Sequence, residues 1–165
     1  MWVIETIKRL NQGRITGQKY KIDSLGYNVE IYKGIPYAQY NGRWKYASLL
    51  SQFPSNPFNG TVKLCRNFSS SISDLPICRN VSILTILAKN EAFVCAQTGS
   101  TPDYSAESCL TLDIYRPAGD DKGEILFWIH GGGFATGASS FYSGVEQAGK
   151  YGNTVVVIQY RTGFA

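Results

Sequence analysis

Ile125-Leu126-Phe127-Trp128-Ile129-His130-Gly131-Gly132-Gly133-Phe134 joins five consecutive apolar residues to a histidine and three glycines. The apolar run has the length and continuity of a buried strand. Glycines directly after a strand let the backbone turn sharply and leave N–H groups open to an approaching ligand. Backbone N–H groups fixed in this way stabilise a developing oxyanion. The stretch therefore predicts a strand that delivers an anion-stabilising turn at its C-terminal end. The groups that would generate such an anion are absent from this sequence. It contains no Gly-x-Ser-x-Gly string, and Gly137-Ala138-Ser139-Ser140-Phe141 lacks the second glycine. Its one histidine is His130, inside the turn.

Downstream, Thr154-Val155-Val156-Val157-Ile158 is the most strongly β-branched run and reads as a second buried strand. Between the two, residues 142–151 predict a short helix, with Val145 and Ala148 on one face and Gly152 as its stop. Strand, helix, strand is a parallel crossover unit. Upstream, residues 112–115 read as a strand that Pro117 ends. Residues 13–17, 20–22 and 29–32 read as short strands with turns between them, and residues 51–59 as a loop. Residues 1–11 place Val3, Ile7 and Leu10 at helical spacing and predict a short helix.

Five segments, taken together and in order, resemble the type-B carboxylesterase family, which includes the cholinesterases and fungal lipases. They are Gly34-Ile35-Pro36-Tyr37-Ala38, Cys95-Ala96-Gln97, Glu107-Ser108-Cys109-Leu110-Thr111-Leu112-Asp113-Ile114-Tyr115, Trp128 through Phe134, and Gln159-Tyr160-Arg161. The resemblance covers the chain nearly end to end but only the N-terminal third or so of the family pattern. It implies a partial α/β-hydrolase fold: a small N-terminal antiparallel sheet plus the first strands of a central, mostly parallel sheet, with residues 1–165 as the N-terminal portion of one domain. It implies that the N–H groups of Gly132 and Gly133 belong to an oxyanion hole, that Cys95 pairs with Cys109 at a Cα separation of roughly 4.4–6.8 Å, and that Glu107 forms a structural ion pair with Arg161. His130 shapes the turn in this reading, since the family's catalytic histidine lies far downstream.

The departures carry information too. Gln39-Tyr40 stands where the family has two prolines, and Gly42-Arg43-Trp44 is a shortened match. The stretch from Val62 to Cys95 is longer than the pattern, so residues 63–90 are read as an insertion or a retained intron that packs poorly. The pattern stops before its nucleophile elbow, as in a truncated gene or an early-ended gene model. Two functions follow as expectations. One is the N-terminal part of a carboxylic ester hydrolase, inert alone because nucleophile and base are missing. The other is a non-catalytic cholinesterase-like binding or adhesion protein. The loop between Cys95 and Cys109 has no tryptophan, which disfavours a choline ligand; its Tyr104 reads as a loop anchor.

Composition narrows the rest. Hydrophobic residues at 44% and aromatics at 13% argue for a packed core. A parallel sheet without its later strands exposes apolar surface, so marginal stability or aggregation is expected. Residues 1–90 carry 12 basic and 4 acidic side chains, and residues 91–165 carry 4 and 8. The bases are scattered, with no run above two, which reads as a solvated face rather than a nucleic-acid surface. Cys65 and Cys78 either pair or stay reduced. Sequons at Asn59, Asn67 and Asn80 suggest extracellular ancestry, against an N-terminus that is no signal peptide. No run reaches the ~18 apolar residues of a membrane span. No metal or nucleotide cofactor is expected, because the glycine turn lacks a P-loop lysine.

Overall fold

The computed structural model describes residues 3–10, 13–22, 26–53, 86–87, 93–97 and 105–163. The expectations for residues 63–90 lie outside them except at Ile86–Leu87, and so do Cys65, Cys78, the three sequons and Tyr104. Eleven strands are described: β1 (Val3–Leu10), β2 (Gly13–Ile22), β3 (Tyr27–Pro36), β4 (Ala38–Gln39), β5 (Ser48–Leu49), β6 (Ile86–Leu87), β7 (Val94–Cys95), β8 (Ser105–Ala106), β9 (Thr111–Pro117), β10 (Ile125–Ile129) and β11 (Thr154–Ile158). One helix, α1 (Val145–Tyr151), lies between β10 and β11. Among the described residues no helix is long and apolar enough to cross a membrane.

The main sheet is mixed, ordered β1-β2-β3-β9-β11-β10, with β6 pairing β2. β10 and β11 run parallel, from Ile125↔Thr154 to Ile129↔Ile158, as the crossover through α1 requires. β9 pairs antiparallel with both β11 and β3. The N-terminal antiparallel strands thus continue directly into the sheet that carries β10 and β11, and do not stand apart as a small sheet. The expected short strands over 13–17 and 20–22 are one ten-residue strand, β2. β3 bulges between Tyr32 and Ile35, and Gly34 there has φ +67°.

The helix expected over residues 1–11 is instead the strand β1. All eight of its residues pair antiparallel with β2, from Val3↔Tyr20 to Leu10↔Gly13. Val3, Ile7 and Leu10 fit a helical stripe, but Ile4 and Thr6 add β-branched residues between them. An isolated helix of this length is marginal in water. A hairpin satisfies its backbone groups against a strand that is already anchored.

The core has two faces. Val29, Tyr115, Val155 and Val157 are buried against Ala148 of α1, with Tyr27, Ile31, Tyr142 and Val145 packed around them. Ile15, Tyr32 and Ile35 are buried on the other face, against Phe53, Leu112 and Ile114. Alternation along β9 explains the split: Tyr115 faces α1, while Leu112 and Ile114 face away. Each fully buried valine here contributes about 1.5–3 kcal/mol. The helix comes this close because of Gly149, where an added Cβ would stand 1.9 Å from the Tyr27 ring. α1 ends at Gly152 in the left-handed conformation, as the sequence predicts, and begins after a 3-10 turn over Ser139–Phe141. β10 differs from expectation in its burial. Its apolar run suits a strand covered on both faces, yet every residue is exposed, Ile125 by 66% and Phe127 by 58%. It stands at the sheet's edge, with β11 on one side only.

Candidate active site at the turn after β10

β10 ends at Ile129, and the chain passes from an exposed edge strand to a buried histidine in one residue. His130 is 2% exposed. Its ring stacks on Tyr160 with centroids 4.3 Å apart. Its Nδ1 lies 2.9 Å from the Gly131 carbonyl, an acceptor only, so Nδ1 carries the proton. The Tyr160 hydroxyl donates to the His130 carbonyl at 2.6 Å. His130 is therefore a pillar under the turn, as expected, and is turned away from solvent. Its Nε2, with Gln159 Nε2 and Thr162 Oγ1, is buried with no hydrogen-bond partner among the described residues.

The turn closes on one carbonyl. The N–H groups of Ala135 and Thr136 both donate to Gly132 O at 3.1 Å. The N–H groups of Gly132 and Gly133 donate to no acceptor among the described residues, and both glycines are exposed. Three successive residues have positive φ: Gly132 at +129°, Gly133 at +61° and Phe134 at +61°. Such a series bends the chain sharply, in a conformation that glycine tolerates best. At Gly132 an added Cβ would lie 1.8 Å from the Thr136 carbonyl oxygen, whereas at Gly133 it would meet nothing within 4 Å. Phe134 is 81% exposed and holds a conformation that costs a bulky residue about 1–3 kcal/mol. Its carbonyl accepts the Gly163 N–H at 2.6 Å, which ties the turn to the chain beyond β11.

The other predicted residues surround this turn. Cys95, in β7, and Cys109 form a disulfide with a Cα separation of 5.0 Å, and both are buried. Glu107 and Arg161 are not partners. The Glu107 carboxylate takes the Arg43 guanidinium and the Tyr40 hydroxyl, while Arg161 donates to the Lys45 carbonyl at 2.9 Å. The loop over residues 40–46 supplies a partner to each, so Arg43 satisfies Glu107 and Arg161 is used on the loop's backbone.

Hydrogen bonding from Tyr40, then from Arg43, holds the Glu107 carboxyl below its ordinary range, and the same contact with Glu107 raises Tyr40. Because the folded-state value is depressed, the contact is intact above the ordinary carboxylate range and is lost as pH falls through the folded value. A carbon-detected NMR titration is expected to show Glu107 titrating below a free glutamate, and Tyr40→Phe or Arg43→Met moving it upward. An unshifted Glu107 in the native chain would remove the pair.

Two residues in the site had no role assigned by sequence. Gln159 is 1% exposed, and its Oε1 accepts the Ser139 N–H at 2.7 Å. Its carbonyl accepts the Tyr37 hydroxyl at 2.9 Å. Gln97 reaches the turn from the disulfide segment. Both are the glutamines of short motifs, Cys-x-Gln and Gln-Tyr-Arg, and that position was the available signal.

A family model described as "Carboxylesterase family" matches residues 5–165. A protein named liver carboxylesterase from Sus scrofa is 30% identical over 156 residues, 92% of this chain and 25% of that protein. A fatty acyl-CoA hydrolase precursor, medium chain, from Anas platyrhynchos is 27% identical over 159 residues, 94% of this chain and 26% of that protein. Gut esterase 1 of Caenorhabditis elegans is 45% identical over 64 residues, 37% of this chain and 11% of that protein. The chain spans about a quarter of the length of the first two of these relatives.

Proposed function

The chain belongs to the carboxylesterase family, and from that premise we propose that it is the N-terminal part of a carboxylic ester hydrolase. Its contribution is the pair of N–H donors at Gly132 and Gly133. When a nucleophile adds to an ester carbonyl, the carbonyl oxygen takes up negative charge. Donors already fixed at that position lower the barrier without reorganising, and removing one costs about 3–4 kcal/mol in a working enzyme. The observation that carries this reading is the turn itself: two adjacent N–H groups without an acceptor among the described residues, at the C-terminal end of β10. Ligand chemistry in open α/β sheets gathers at that edge.

His130 is not the general base in this reading, because its Nδ1 is committed to a carbonyl and its ring is buried against Tyr160. Nucleophile and base come from residues outside this sequence. Residues 1–165 then form the N-terminal portion of one carboxylesterase domain, with residues 63–90 as an insertion or a retained intron. The substrate class is a carboxylic ester or thioester, in keeping with what the relatives' names record. A buried disulfide suits an oxidising, secreted or lumenal setting.

The test is hydrolysis of a short-chain nitrophenyl ester by the purified chain. The expected rate equals that of a heat-killed control, and turnover well above it would overturn the assignment of nucleophile and base to residues elsewhere. Reading the coding sequence beyond residue 165 gives the second arm. An in-frame Gly-x-Ser-x-Gly supports the hydrolase. A longer relative-like chain with that serine replaced supports a binding protein instead.

A further inference from the structure

We propose that Gln97 is the positioning residue of the glycine turn and fastens it to the disulfide. The inference rests on the oxyanion reading for its consequence, though not for its geometry. Gln97 lies two residues beyond Cys95. Its Oε1 accepts the Gly137 N–H at 2.6 Å, and its Nε2 donates to the Gly137 carbonyl at 3.0 Å. The same Nε2 lies 3.3 Å from the Cys95 carbonyl. One carboxamide therefore satisfies both backbone groups of one residue, as a neighbouring strand would, and reaches back to the disulfide.

Gly137 is the right residue to hold. It has φ +128°, and a Cβ added there would stand 2.4 Å from His130 Nδ1 and 2.5 Å from the Gly131 carbonyl. Its backbone is packed against the first two residues of the turn. The path of contact runs from the Cys95–Cys109 bond through Gln97 to Gly137, and from Gly137 to His130 and Gly131. Gly131, Gly132 and Gly133 have no side chains with which to hold their own conformation, and glycine samples more of it than any other residue. Donors that act on a transition state must be fixed beforehand. An external clamp supplies that fixing.

The clamp is chemically specific. Glutamine carries a donor and an acceptor on one rigid plane. Ionised glutamate keeps the acceptor and turns its second oxygen, with no proton, toward two carbonyls. Protonated glutamate again offers one donor and one acceptor. Leucine offers neither. Gln97 touches no reacting atom in this account, and it acts through Gly137.

Amide NMR on the full 165-residue chain tests this. Gln97→Leu is expected to speed hydrogen exchange at the Gly137 N–H by about tenfold and to move the Gly132 and Gly133 resonances. Exchange at Ile31 and Tyr115, within the β3–β9 ladder, should stay at native rates, which separates loss of the clamp from unfolding. Gln97→Glu is expected to move Gly132 and Gly133 at neutral pH and to return them toward native positions as its carboxyl protonates, read as the difference from the native chain, with His130 under its turn, titrated alongside. If Gln97→Leu does not fold, the pH step of Gln97→Glu decides alone. Unmoved Gly132 and Gly133 resonances in Gln97→Glu at neutral pH overturn the proposal, as does native Gly137 exchange in a folded Gln97→Leu. These resonances report the shape of the turn whether or not an ester ever sits on it, so a failed clamp and a failed hydrolase reading are separate results.

Discussion

Gly132→Ala is expected to destabilise the chain by about 2–5 kcal/mol, combining left-handed backbone strain with overpacking. The φ of +129° is one that residues with a Cβ rarely adopt, and the new methyl would lie 1.8 Å from the Thr136 carbonyl oxygen. That neighbour is backbone, so it cannot rotate aside. Relief requires Gly132 O to release the N–H groups of Ala135 and Thr136, which close the turn. Gly133→Ala is the control. Its φ is +61° but the space is open, so only the conformational penalty applies, about 1–2 kcal/mol. Urea unfolding followed by intrinsic fluorescence reads both. Equal losses in the two variants would mean that the turn is looser than its contacts imply.

Asp113→Ala is expected to cost about 3–5 kcal/mol. The Asp113 side chain is 3% exposed, in the middle of β9. It accepts the Gly34 N–H at 2.8 Å and lies 3.8 Å from the Lys33 ammonium, itself only 19% exposed. Both groups belong to the bulge of β3 between Tyr32 and Ile35, where the ladder to β9 is interrupted. A carboxylate from the neighbouring strand takes over from the missing ladder bond. Deleting it removes a buried carboxylate beside the half-buried Lys33 ammonium and takes from a bulge N–H its acceptor. Asp113→Asn keeps an oxygen for Gly34 and loses only the charge, so it is expected to cost about 1–2 kcal/mol. If Ala and Asn are equally harmful by the same unfolding measurement, the hydrogen bond to Gly34 contributes nothing.

The sequence showed most clearly what is decided locally. The β-branched run at Thr154–Ile158, the glycine stop at Gly152 and the parallel crossover all follow from residues close in the chain. The disulfide and the glycine turn were legible through motif resemblance. What failed depended on distant partners. Residues 3–10 fit a helical stripe, and only pairing along β2 makes them a strand. The apolar run of β10 reads identically in a central and an edge strand, because composition does not reveal strand order. Glu107 and Arg161 were matched through their motifs, but the loop over residues 40–46 lies across the pairing. That loop includes Trp44, a non-glycine residue with φ +60°, a conformation its shortened motif does not reveal. Gln97 and Gln159 were visible as letters in motifs, while their work on Gly137 and Ser139 exists only after folding.

The order of the strands also sets a timetable for synthesis. β10 is made before β11, yet in the sheet β11 lies between β10 and β9. The earlier strand lacks its neighbour in the sheet until the later one has inserted. A ribosome adds roughly 5–20 residues per second, and about thirty residues separate the ends of the two strands, so β10 waits on the order of 1.5–6 s after it is made. Throughout that interval Ile125-Leu126-Phe127-Trp128-Ile129 is an apolar pentapeptide without its β11 partner.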